Sequence, residues 1–189
     1  MTAKKTAQTV PQNAEDIAPL LIGEDLPKAT LKTADGKDVQ LSTILKQKPT
    51  VLVFYRGGWC PYCNLQLSGL AEIEKGAIAM GYQIVAISPD DYQNLAITEE
   101  KDSIQYQLFS DPEAKLIQEV GIGFQTPLML KGYIATQKNK GETSEIMPVP
   151  SVMIVDTEGE ILFEYINPNY KVRLSSELLL SSLQVLKEN

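Results

Sequence analysis

The segment Thr50-Val51-Leu52-Val53-Phe54-Tyr55 is short, β-branched and apolar at successive positions. Such a run is buried on both faces and belongs in the middle of a sheet covered by helices. It passes through Arg56-Gly57-Gly58-Trp59 into Cys60-Pro61-Tyr62-Cys63, where a helix should start. Pro61 suits the first helical turn, because its missing N–H would be unpaired there in any case. Cys63, Leu67, Leu70 and Ala71 then share one helical face. This strand–CxxC–helix unit is the strongest constraint on what the chain can become.

Similar alternation continues downstream. Gln83–Ile87 predicts a second buried strand, followed by a helix over Asn94–Lys101 and a strand over Tyr106–Phe109. Ser110-Asp111-Pro112-Glu113 predicts a helix start, with Asp111 as cap and Pro112 at the first position. Val152–Val155 and Ile161–Ile166 predict a hairpin turned at Asp156–Gly159, and Leu179, Leu183 and Leu186 a C-terminal helix capped by Ser175 or Ser176. Upstream, Asp35-Gly36 predicts a hairpin between Ala29–Thr33 and Asp38–Leu41, with Ser42 capping a short helix. Residues 125–149 carry the least pattern and are expected to be loops beside the site. The resulting order predicts an α/β fold: a central mixed sheet, helices on both faces and an N-terminal β-hairpin extension. Residues 1–16 read as a flexible tail and 17–189 as one domain.

Composition excludes several function classes. The net charge of −7 disfavours nucleic acid and anionic membrane surfaces. No apolar run suits a bilayer, and no signal peptide is visible, so a cytoplasmic location is expected, or a periplasmic one if a signal segment precedes this sequence. Histidine is absent, which removes Cys-His and Ser-His catalysis. Two cysteines cannot make a structural zinc site or a secreted disulfide framework. Neither cofactor nor metal is expected.

What remains is thiol chemistry at Cys60 and Cys63. Residues three apart on a helix are neighbours. A helix N-terminus offers open N–H groups and partial positive charge, both of which favour a thiolate. A thiolate attacks a peroxide oxygen or a disulfide sulfur, and its neighbour then closes an intramolecular disulfide. Arg56 can add positive charge. Trp59 is expected as an exposed platform, with partial burial the competing reading. Gly57 and Gly58 would permit a tight approach to the helix. Asp90 and Asp91 read as a cap and a solvated acid.

FYRGGWCPYC resembles the peroxiredoxin-like branch of the alkyl hydroperoxide reductase/thiol-specific antioxidant (AhpC/TSA) family, in the thioredoxin-like superfamily. QIVAISP, LFSDPEAKL, MPVPSVMIVDTEGEI and INPNY are similar to that branch in order and spacing. The resemblance implies a thiol peroxidase acting on hydrogen peroxide or organic hydroperoxides and recycled by a thioredoxin-type donor. It also implies two departures. Ordinary peroxiredoxins resemble Pro-x-x-x-Thr-x-x-Cys here, whereas Arg56 and Cys60 stand at the proline and threonine places and Cys63 at the peroxidatic cysteine. Pro150 stands where those enzymes have an arginine, and looks like the cis-proline of thioredoxins, which would set the Val149 backbone opposite the CxxC to pair with a substrate chain. Arg173 recurs in the branch and is assigned to the surface.

The two registers leave the attacking cysteine open. The peroxiredoxin register gives Cys63; the thioredoxin register, supported by the expected exposure of the helix tip, gives Cys60. The alternatives to peroxide reduction are thiol–disulfide exchange on protein disulfides and Cu(I) binding in an assembly factor, the last disfavoured by the missing histidine. Oligomeric state is not readable.

Overall fold

The computed structural model describes residues 9–102, 104–136 and 144–188. Its main sheet has seven strands in the order β2-β1-β5-β4-β3-β8-β9. The strands are β1 (Thr30–Lys32), β2 (Asp38–Gln40), β3 (Thr50–Phe54), β4 (Gln83–Ser88), β5 (Gln107–Ser110), β8 (Ser151–Val155) and β9 (Ile161–Ile166). β3, β4 and β5 are parallel, whereas β8 joins β3 and β9 joins β8 antiparallel. The β1–β2 hairpin closes the far edge by pairing Lys32 with Ser110 of β5. The helix-covered mixed sheet is the one that the alternation predicts, and its fold is thioredoxin-like, as the resemblance implies.

Strand periodicity divides the core into two layers. Val51, Val53 and Tyr55 face one layer together with Leu67 and Leu70 of α2 (Pro61–Ala79), and Leu179 and Leu183 of α6 (Ser176–Glu188). Leu95 of α3 (Leu95–Asp102) lies there too. Leu52 and Phe54 face the opposite layer, against Leu41, Ile44 and Leu45 of α1 (Leu41–Leu45) and Leu116 and Ile117 of α4 (Lys115–Glu119). Every β3 residue is buried, which is why its sequence is apolar without alternation.

Several local expectations are corrected. Ser42 lies inside α1, which begins at Leu41 with Gln40 at the cap position. α4 begins at Lys115, because Asp111–Ala114 first forms a turn that puts Ala114 at φ 51°. Asp111 still serves that helix: its carboxylate accepts from the N–H groups of Lys115 and Ile117, both at 3.0 Å. The stretch expected to be loop contains β6 (Gly123–Gln125) paired antiparallel with β7 (Ile146–Pro148), and α5 (Leu128–Thr136). Of the expected tail, residues 1–8 lie outside the described residues. Within the rest, the Pro11 carbonyl accepts from Gln125 N–H at 2.8 Å, and Ala14–Asp16 form one helical turn. Among the described residues no helix is long and apolar enough to cross a membrane.

Candidate active site

β3 aims the chain at the site and α2 holds it. Cys60 occupies the cap position of α2, with Pro61 in the first turn. The Cys60 carbonyl accepts from the N–H groups of Cys63 (3.0 Å) and Asn64 (3.1 Å), so the cysteine backbones are locked into one helical turn. Both cysteines are free thiols.

The expected difference in exposure is absent. Cys60 is 1% exposed and Cys63 0%. The Gly57–Trp59 loop folds back, with Cys60 N–H donating to the Gly57 carbonyl at 3.1 Å, and draws the helix tip into the core layer. What separates the thiols is electrostatics. Cys60 is lowered from 9.0 to about 6, chiefly by the hydrogen bond from the Cys63 side chain, then by Cys63 N–H and the charges of Arg56 and Arg173. Burial pushes the Cys63 thiol well up, and its hydrogen bond to Cys60 and the Cys60 charge add to that. At neutral pH the pair is therefore one thiolate, at Cys60, and one thiol, at Cys63.

Arg173 is a site residue that sequence reasoning assigned to the surface. Its Nη2 lies 3.4 Å from the Cys63 sulfur, its Nη1 donates to Gln66 Oε1 at 2.9 Å and its Nε to the Tyr170 carbonyl at 2.8 Å. The Arg56 N–H also points at the Cys63 sulfur, at 3.4 Å. The Arg56 guanidinium lies against two rings, 5.2 Å from the centroid of Trp59 and 4.5 Å from that of Tyr170. Trp59 is half-buried and meets Tyr133 edge-on at 6.4 Å, so packing supplants the exposed-platform reading.

Pro150 and Val149 depart from the thioredoxin expectation. No cis peptide bond occurs among the described residues. Val149 is fully buried, and its N–H already donates to the Ile122 carbonyl at 2.8 Å. Its carbonyl accepts from the Ser151 hydroxyl at 2.8 Å. The residue has no free N–H to offer a substrate chain.

Asp90 is neither a helix cap nor a solvated acid. Its carboxylate accepts from Gly58 N–H at 2.8 Å, and burial raises it from 3.8 to about 6. Asp91 does cap, accepting from Gln93 N–H. Gly57 sits at φ +139°, and a Cβ there would meet Asp90 Oδ1 at 2.6 Å and Trp59 Cδ1 at 2.7 Å.

A buried dithiol with split proton affinities, set on a helix tip beside a central strand, defines a thioredoxin-fold redox protein. The chain belongs to the AhpC/TSA family, whose model matches residues 22–163. It is 24% identical to peroxiredoxin Bcp of Escherichia coli over 166 residues, spanning 88% of this chain and 97% of that protein. To the putative peroxiredoxin bcp of Haemophilus influenzae it is 26% identical over 151 residues, or 78% of this chain and 97% of that one. Among solved structures, reduced Prx3 of Vibrio vulnificus in complex with hydrogen peroxide aligns with a TM-score of 0.73 at 18% identity, covering 87% of this chain and 99% of that one. Peroxidoxin BcpB of Mycobacterium tuberculosis aligns at 0.69 and 20% identity, covering 87% and 97%.

Proposed function

We propose that the chain is a two-cysteine peroxidase that reduces hydrogen peroxide or organic hydroperoxides. The Cys60 thiolate attacks the terminal peroxide oxygen, giving a Cys60 sulfenic acid and releasing water or an alcohol after proton uptake. Cys63 then displaces hydroxide from that sulfur, forming the Cys60–Cys63 disulfide and water. A thioredoxin-type dithiol takes up the disulfide and restores both thiols by exchange. The observation that carries this reading is the lowered Cys60 beside a raised Cys63 within one helical turn. The peroxiredoxin names of its relatives support it.

Thiol–disulfide exchange on protein substrates is the second reading, and the CxxC itself favours it. One observation weighs against it: the Val149 N–H is already bonded and offers a substrate chain nothing to pair with. Stopped-flow consumption of hydrogen peroxide by the reduced protein, set beside its rate on insulin disulfides, decides between them. Fast peroxide turnover with slow insulin reduction is expected; the reverse order would replace the first reading with the second.

A further inference from the structure

The charge of Arg56 helps to lower Cys60, but that role uses none of the hydrogen-bonding capacity of its guanidinium. Its side chain comes from the end of β3 and the residue is only 7% exposed. A buried guanidinium normally stands against a carboxylate, because an unpaired charge out of water is costly. Here Nε donates only to the Met147 sulfur at 3.2 Å, a weak acceptor. Among the described residues the two terminal nitrogens donate to no protein acceptor and no ion pair involves Arg56. The Trp59 and Tyr170 rings stabilise the cation but leave its hydrogen-bonding fork unused.

That fork borders a pocket of about 280 Å³. The walls include Phe124, Pro127, Pro150, Pro168 and the Tyr170 ring, which are apolar surfaces. The segment from Gln12 to Glu15 lines the rest, with Glu15 exposed and not ion-paired with Arg56. A cavity that sets apolar walls beside one fixed guanidinium without an ion pair selects a ligand with a flat or branched hydrocarbon body and a single planar anion.

We propose that this pocket binds the carboxylate of a small organic acid, with the carboxylate on Arg56 and the hydrocarbon against Phe124 and the prolines. The backbone N–H of the same residue touches the Cys63 sulfur, so a ligand held there is anchored on the residue that adjoins the dithiol.

The test uses benzoate and its neutral isostere benzamide, titrated into the reduced full-length protein. Trp59 is the single tryptophan and packs on the Arg56 guanidinium, so its fluorescence reports occupancy. Benzoate should give a saturable change, with benzamide at least about tenfold weaker. Arg56→Gln should abolish the benzoate response, and Glu15→Gln should tighten it by removing a like charge. No saturable response to benzoate, or equal binding of benzamide, overturns the pocket assignment without needing any variant to fold.

Discussion

The guanidinium of Arg173 lies 3.4 Å from the sulfur of Cys63, a residue 110 positions earlier in the chain. Its charge lowers the proton affinity of both cysteines, against the burial that raises Cys63. Arg173→Ala should therefore leave both thiols harder to ionise and slow closure of the disulfide by about tenfold, since one pKa unit is about 1.36 kcal/mol. Arg173→Lys should restore part of that rate but not the Gln66 contact. Stopped-flow tryptophan fluorescence after a single peroxide pulse measures the step; an unchanged rate in Arg173→Ala would remove the residue from the mechanism.

The two thiols should titrate apart. Cys60 is depressed to about 6, so its alkylation rate should rise with a midpoint near that pH while Cys63 stays unlabelled through neutrality. Peptide mass spectrometry after brief iodoacetamide treatment reads both sites. The linked stability has a definite sign. Between about pH 6 and the unfolded thiol value of 9.0, the folded state holds a thiolate and the unfolded state a thiol. This contribution is complete above the unfolded value and is lost as pH falls through about 6. The stability advantage of the reduced wild type over Cys60→Ser should grow with pH across that window.

Asp90 should tune this titration. Its charge and that of the Cys60 thiolate repel, and both groups sit at about 6. Asp90→Asn keeps an acceptor for Gly58 N–H and removes the repulsion, so the Cys60 alkylation midpoint should move to lower pH. A shift upward would mean that the Gly58 contact, rather than the charge, governs the thiolate.

Peroxide oxidation should stop at the intramolecular disulfide. A modest excess should take about 2 Da from the wild type, the loss of two hydrogens. Cys63→Ser should instead accumulate oxygen on Cys60 and cease turnover after one cycle. The ring closes over so few residues that its entropic effect on folding stability is small. Intact-mass spectrometry distinguishes these products from intermolecular dimers, which would show that the thiols do not act as a pair.

Gly57→Ala combines a disfavoured φ with overlap against Asp90 and Trp59. A loss of about 1–3 kcal/mol from backbone strain alone is expected, measured by urea unfolding. Peroxide turnover should fall further than stability does, because the same loop carries Cys60.

The dithiol and its strand–helix frame are legible in the sequence because their geometry is local: a buried strand, a tight loop and a proline in the first helical turn. The hairpins are legible for the same reason. Arg173 is not, since only the packing of the segment before α6 against α2 brings it to Cys63. The burial of Cys60 is hidden too, because it depends on a loop folding back rather than on any periodicity. α5 escapes notice for another reason. Leu128 and Met129 are 84% and 91% exposed, and the helix buries none of its residues. Only Leu130 and Ile134 turn inward, half-buried against Phe124 and Met147, so its apolar positions do not single out one face.

The hydrogen bond between the Pro11 carbonyl and Gln125 N–H ties the amino-terminal segment to β6, where Gln12 to Glu15 form one wall of the Arg56 pocket. Residues 12–15 are thus part of the cavity beside Arg56. A protease that trims the segment up to Asp16 removes that wall without touching a cysteine. Preparations that share an intact dithiol then differ in how they hold a small anion, according to whether this segment is intact.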